Sequence, residues 1–455
     1  MSPTTAISGA DTAWVLISAA LVMLMVPGLA LFYGGLVRSR SSLNTFMMSL
    51  APLAIVSLQW VLFGYSLAFA SGASWIGPLS WLGFSGVGTA PNATYAATIP
   101  HVAFAMFQAM FAIITVGLIA GAVVERMKFG AYLLFVVLWT TLVYDPLAHW
   151  VWGDGGWLRT MGALDFAGGT VVHISAGVSA LVAALMLGRR HDASRTVAVP
   201  HNVPFAVVGA GLLWFGWFGF NGGSALAANE IASSAFMTTH TAAAAAMLTW
   251  MLLDLRVSGH VTAVGAATGA VVGLVAITPA AGFVTPLSAI AIGAIGAACS
   301  FGAMQLRGKT KVDDTLDVFA CHGVGGISGA LLTGVFASKA VNPAGADGLL
   351  YGNPHQLLVQ ATAVVATLVF CGGMTAIVLQ AMRMTVGLRI GIADEVRGID
   401  VAEHGEAAYH GGDIGELGGR RVPLGQSVLL PASEILPPVK APVVAPAGAT
   451  AGATR

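Results

Sequence analysis

Two aspartates are each followed, eight residues on, by a histidine lodged in an apolar run: Asp165 and His173 in ALDFAGGTVVHISAGVSA, Asp314 and His322 in DDTLDVFACHGVGGISGA. Each copy has a glycine four residues past its histidine, Gly177 and Gly326, and then Ser179-Ala180 set against Ser328-Gly329-Ala330. A neutral imidazole both donates and accepts a hydrogen bond, so two facing rings can form a polar, uncharged wire through an apolar lumen. An ionisable ring inside a membrane span is costly to keep there and marks a functional site by default. Two such rings in repeat-related segments point to a paired site at a repeat interface, near mid-membrane. The plainer alternative, two rings that only bridge helices, stays open on spacing alone.

The elements that must position these rings are membrane spans. Of 455 residues, 56% are hydrophobic and 9% charged, whereas soluble domains carry about 25% charge. A formal charge of +0 gives no indication of a nucleic-acid partner. Cys299, Cys321 and Cys371 lie in apolar runs and read as packing residues. There is no HExxH and no third histidine clustered with the pair, so no metal site, no cofactor and no enzyme chemistry are expected. A haem-binding membrane cytochrome would need more deep histidines than this pair.

About eleven apolar runs approach the ~20 residues a crossing helix needs: residues 11–36, 43–70, 101–124, 129–147, 166–187, 203–223, 236–255, 261–278, 286–305, 315–336 and 355–381. Cytoplasmic loops collect Lys and Arg. Eleven such residues, from Arg38 and Arg40 through Arg195 to Lys309 and Lys311, follow odd-numbered spans, and only Arg159 and Lys339 lie in the opposite loops. This predicts an amino terminus outside and a carboxyl terminus in the cytoplasm. Spans five and ten then run oppositely, as an inverted five-plus-five repeat (about 11–187 and 203–336) with one extra helix requires. FYGG at Phe32–Gly35 and FNGG at Phe220–Gly223 echo the same division.

The expected layout is an all-α membrane domain over 1–383, a polar cytoplasmic regulatory tail over 384–419, and a disordered Pro/Ala-rich end over 420–455. In the tail, Glu395, Glu403 and Glu406 are placed to pair with loops holding Arg189, Arg190, Lys309 and Lys311.

Six blocks, GLALFYGGLVR, ITVGLIAGAVVER, ALDFAGGTVVHISAGVSALVAAL, WFGWFGFNGGSA, DDTLDVFACHGVGG and DVAEHGEAAY, occur in order between residue 11 and Tyr409. Together they resemble the ammonium transporter (Amt) family, related to the Rh proteins. The resemblance implies a homotrimer in the cell membrane, with one pore per subunit for ammonium and methylammonium, and a possible cytoplasmic PII signalling partner. An ammonium sensor acting through a bound partner, and an Rh-like channel for ammonia or carbon dioxide, are the nearest alternatives.

Matching those blocks residue by residue implies a cation-recruiting set of Phe107, Trp152 and Ser224, with Asp165 ordering the vestibule backbone. Phe111 and Phe220 would form a stacked phenyl gate, and Trp217 and Asn221 would line or buttress the pore, with Thr278 framing the vestibule. Aromatic faces attract cations by roughly 0.5–2 kcal/mol each and a hydroxyl accepts an N–H bond, which suits the first set. The loop HWVWGDGGWLRTMGALDFAGG is about one residue longer than is usual for the family and adds Asp154 and Trp157. Either Trp152 or Trp157 could therefore be the cage residue. Asp165 is also placed to cap helix five, and Asp313, Asp314 and Asp317 to cap helix ten and set the charge at the pore exit.

Overall fold

The computed structural model describes residues 6–191, 193, 199–409, 415–417 and 420–422, so Arg195 and most of the Pro/Ala-rich end lie outside the described residues. Among the described residues ten helices are long and apolar enough to cross a membrane: α1 Gly9–Leu36, α2 Ser39–Phe69, α3 His101–Val123, α4 Phe129–Met161, α5 Gly169–Leu187, α6 Val203–Gly223, α7 Glu230–Ser258, α9 Pro286–Arg307, α10 Phe319–Phe336 and α11 Pro354–Thr385. The shorter apolar α8, Ala263–Ile277, completes the eleven. The chain is a multi-pass membrane protein.

Polar residues at the ends of apolar runs set the helix starts. Ser8, Asn202, Asn229, Thr262 and Thr285 each accept a backbone N–H of the first turn through the side chain, satisfying donors that the helix itself leaves free. Pro286 and Pro354 occupy first-turn positions where the missing N–H costs nothing.

The two five-helix halves meet in antiparallel pairs. Near the end of α1, a Cβ on Gly35 would lie 2.5 Å from the Asn202 carbonyl and 2.7 Å from the Ala206 nitrogen at the start of α6. Near the end of α6, a Cβ on Gly223 would lie 2.5 Å from Ser18 Cβ, early in α1. The FYGG and FNGG echoes thus let α1 and α6 close on each other reciprocally, as small residues do between membrane helices. The extra helix α11 packs on α5 and α10.

Four spans contain π-helical turns: Trp60–Gly64 in α2, Thr140–Tyr144 in α4, Gly169–Ile174 at the start of α5 and Phe319–Val324 at the start of α10. Such turns concentrate at functional positions. Those in α5 and α10 carry the two histidines. Those in α2 and α4 flank a buried pair in which Gln59 Nε2 donates to Asp145 Oδ2 at 2.6 Å.

Three expectations need correction. The fourth span is longer than 129–147 and reaches Met161, so Trp152 ends a helical segment, Asp145–Trp152, and is not a loop residue. His173 and His322 are not the only deep histidines, since His101 and His149 are also buried. The tail docks mainly by capping rather than by charge pairing. Asp400 accepts the Leu43 and Asn44 amides at 3.0 and 2.8 Å, and Glu403 accepts the Phe129 amide at 3.3 Å. Glu395 pairs with Arg389 of the tail at 2.6 Å and accepts the His191 amide at 2.5 Å. Arg190 is committed elsewhere, and Glu406 is exposed.

Candidate functional site

Asp165 organises the start of α5. One carboxylate oxygen accepts the Gly168 and Gly169 amides at 2.8 and 2.5 Å. The other accepts the Thr170 and Val171 amides at 2.9 and 3.2 Å and the Thr170 hydroxyl. Five donors leave this carboxylate little capacity for a ligand, so the capping role is the one its geometry satisfies. Asp314 is the sparser counterpart at α10, accepting the Phe319 amide at 2.8 Å while its Oδ1 lacks a partner. Burial pushes the Asp314 carboxyl upward.

The two capped segments cross where both are glycine. A Cβ on Gly177 would clash with the backbone nitrogen and Cα of Gly323, and one on Gly326 would sit 3.1 Å from the Gly169 carbonyl and 3.1 Å from His173 Cβ. This close antiparallel crossing sets the imidazoles edge to edge, nitrogen to nitrogen. His322 Nδ1 and His173 Nδ1 are 3.3 Å apart, the ring centroids 5.4 Å apart and the planes 26° from parallel. His173 Nε2 has no partner.

Trp217 stacks on His173 at 5.4 Å and 22°. Its indole N–H donates to the Thr278 hydroxyl at 2.9 Å, so Thr278 stands behind Trp217 and does not frame the vestibule. Asn221 buttresses the same region by donating to Thr239 Oγ1 at 2.9 Å. Leu29, Ile114, Leu118 and Val271 join both imidazoles around an apolar cavity of about 10 Å³, room for about one water molecule.

Next along this line, Phe220 lies 6.0 Å from His173 and 4.4 Å from Phe111. The two phenyl rings separate the histidine cavity from a wider one of about 240 Å³, lined by Phe111, Trp152, Ser224, Asp165, Gln108 and Tyr95 among others. Phe111 meets Trp152 edge-on at 5.9 Å. Trp152 is held by its indole N–H, which donates to the Asp165 carbonyl at 2.9 Å. The Ser224 hydroxyl donates to the Phe220 carbonyl at 2.8 Å, leaving its oxygen free to accept.

The structure therefore brings together Phe111, Trp152, Ser224, Phe220, His173, His322 and Trp217. Phe107 is fully buried, packs edge-on against Phe111 at 4.9 Å and does not line the wide cavity. Trp157 lies against Trp75 and Trp150 at 5.8 and 5.5 Å, outside that cavity. Asp154 touches the rim through its amide, which donates to Tyr95 Oη at 2.8 Å. Sequence reasoning missed Gln108, whose Oε1 has no partner. The three-residue spacing from Gln108 to Phe111 on one helix was the available signal.

At the opposite face, loops after α1, α3, α5 and α9 converge on buried charges. Glu125 pairs with Arg38 at 2.8 Å and Arg190 at 2.5 Å, and Arg190 also pairs with Asp313 at 2.8 Å. Burial alone would raise the Glu125 and Asp313 carboxyls, but the hydrogen bonds and charges of these arginines outweigh it and hold both below the usual range. Glu125 sits at φ 69°, a strained position for a residue with a side chain, held by its two guanidinium partners. Asp313 is thus an ion-pair partner and not a cap of α10. Asp317, pushed up to about 6 by burial, pairs with Arg307 at 2.5 Å. Among the described residues no group of three or more His, Cys, Asp or Glu side chains is arranged to hold a metal ion.

The family model of the Ammonium Transporter Family matches residues 13–409. An ammonium transporter of Bacillus subtilis is 52% identical over 88% of this chain and 98% of its own. The crystal structure of Saccharomyces cerevisiae Mep2 is similar with a TM-score of 0.80 and 38% identity, over 85% of this chain and 88% of that one. A solved structure titled Sensor Amt Protein is similar with a TM-score of 0.80 and 31% identity, over 87% and 98%. With its eleven membrane helices and a match spanning nearly all of them, the chain belongs to the ammonium transporter family.

Proposed function

We propose that this protein moves ammonium and methylammonium across the cell membrane, taking the cation at Phe111, Trp152 and Ser224, parting it from its proton, and passing ammonia between Phe111 and Phe220 and along His173 and His322. The single observation carrying this reading is the order of the groups: an aromatic cavity with a free hydroxyl oxygen, a phenyl pair, then two hydrogen-bonded imidazoles in an apolar space. Phe107 supports Phe111 from behind, and Asp165 acts through the backbone it caps.

A bare cation in a lumen lined by hydrocarbon loses its hydration without a paired charge, which costs many kcal/mol. Ammonia loses far less. The aromatic cavity offsets part of the cation's dehydration at roughly 0.5–2 kcal/mol per face, and the neutral species then crosses while the proton moves separately, giving net charge movement. In this reading the vestibule faces outward, the basic face lies in the cytoplasm, residues 384–419 form a regulatory tail for a PII-type partner, and three copies assemble.

The test is solid-supported membrane electrophysiology on proteoliposomes given an ammonium pulse. A saturable inward current in the wild type, reduced by His173→Ala, supports the reading. Luminal alkalinisation without current would replace it by ammonia conduction. The likeness to a protein titled Sensor Amt Protein favours one second reading, ammonium sensing through a tail-bound partner. Absence of both current and alkalinisation in folded protein would favour it.

A further inference from the structure

The wide cavity already contains a positively charged group. Arg159 lies on the short helical turn Trp157–Met161 and lines the same space as Phe111, Trp152 and Ser224. Its guanidinium carbon sits 5.7 Å over the Tyr95 ring, and Nη1 donates to the Trp152 carbonyl at 2.6 Å. A π face and an oxygen acceptor are the two things a small captured cation needs. Arg159 uses one of each.

Two carboxylates, Asp165 and Asp154, stand near this charge, and neither pairs with it. Both Asp165 oxygens are taken up by backbone amides and the Thr170 hydroxyl. Asp154 meets the rim through its amide, and among the described residues Arg159 makes no ion pair. The cavity that faces the phenyl pair therefore carries a fixed positive charge at its rim and, at its base, a carboxylate whose hydrogen bonds are filled but whose negative charge remains.

We propose that Arg159 is a tethered resident cation that fills the outer aromatic place on Tyr95, confines a captured monovalent cation to the inner place at Phe111, Trp152 and Ser224, and weakens that capture by like-charge repulsion. Arg159 is thus an affinity-setting residue for this vestibule, and the proposal rests on the transport reading above. Charge repulsion has a sign that salt reveals. Raising ionic strength shortens the Debye length from ~30 Å at about 0.01 M to ~8 Å at about 0.15 M, which screens Arg159 and the neighbouring carboxylates together. The share owed to Arg159 is therefore read from the ratio of wild-type to Arg159→Gln KM, which repulsion makes fall as salt rises.

The experiment measures KM for methylammonium in full-length protein reconstituted in zwitterionic phosphatidylcholine, with sodium chloride exchanged against sorbitol. Arg159→Gln, which keeps an amide donor for the Trp152 carbonyl, is expected to show KM about threefold below wild type at low salt, narrowing to about 1.5-fold at high salt. Arg159→Lys, which keeps the charge, is expected to match the wild type at both ionic strengths. An Arg159→Gln protein matching the wild type at low salt, or a ratio that does not shrink with salt, would overturn the proposal. So would an Arg159→Lys protein that behaves like Arg159→Gln, since that assigns the effect to guanidinium packing. Wild-type protein that carries no methylammonium at all would instead remove the transport reading itself.

Discussion

Replacing Gly177 by alanine tests whether the crossing of α5 and α10 sets the histidine pair. The added Cβ would lie under 3.0 Å from the Gly323 backbone, a separation that real Cβ atoms essentially never show. Carbon atoms make contact at about 3.5 Å, so the two backbones must part by roughly 1 Å. The obstacle is main chain, with no flexible side chain to swing away. The same displacement carries the His173 and His322 Nδ1 atoms from 3.3 Å to about 4 Å, beyond hydrogen-bond range. Overpacking costs about 1–3 kcal/mol and the lost hydrogen bond about 0.5–1.5 kcal/mol, so a destabilisation of about 2–4 kcal/mol is expected, with methylammonium uptake falling at least tenfold. Gly373→Ala is the control, because nothing lies within 4 Å of its added Cβ. Both proteins would be compared by thermal unfolding in detergent and by uptake into proteoliposomes. A Gly177→Ala protein with unchanged midpoint and uptake would refute the view that this contact fixes the rings.

Other substitutions separate the remaining parts of the site. Trp152→Leu removes one cation-binding face and should weaken ammonium competition against methylammonium uptake by about 2- to 30-fold, the equivalent of 0.5–2 kcal/mol. Trp157→Leu should leave that competition unchanged, and the reverse outcome would move the cage to Trp157. Glu125→Ala should cost about 1–3 kcal/mol in unfolding experiments, because it removes the buried carboxylate that Arg38 and Arg190 share while Arg190 keeps Asp313. The Glu125 carboxyl is held below its ordinary 4.5, so its contribution is fully present above that value and is lost as pH falls through the lower folded value. Wild-type melting temperature should therefore drop between about pH 5 and pH 3, and Glu125→Gln should drop less over that interval. Truncation after Arg383 removes the capping contacts of Asp400 and Glu403, and is expected to leave the helical core assembled while lowering transport. Unchanged transport at normal membrane levels would count against a regulatory tail.

Much of the architecture could be read from the sequence because the membrane imposes one simple rule, long apolar runs. The matched Asp165–His173 and Asp314–His322 intervals located the crossing because each aspartate caps the segment that carries its histidine. What escaped detection depends on orientation around a helix, which residue types do not encode. Phe107 and Phe111 lie one turn apart with identical side chains, and only packing decides that Phe111 faces the wide cavity while Phe107 backs it. The π turns have no distinct composition, so the continuation of α4 to Trp152 was invisible. The tail was read through charge pairs, yet Asp400 and Glu403 dock on free amides at helix starts, a contact that needs a helix terminus and no basic residue. Arg159 was counted only as a minority loop charge, and its reach into the cavity depends on Tyr95 coming from a different connection.

The Nδ1-to-Nδ1 contact between His173 and His322 also makes the pair a store of one bit. Only one proton can occupy the position between two nitrogens 3.3 Å apart, so when both rings are neutral their tautomers must differ, one ring carrying its hydrogen on Nδ1 and the other on Nε2. A proton entering at one outer nitrogen and leaving at the other reverses both assignments. The column then points the other way and cannot repeat the same handover until the rings rotate or the protons return. Any proton passage along this pair leaves a record of its direction, and the time needed to erase that record sets an upper limit on how often the column can be used.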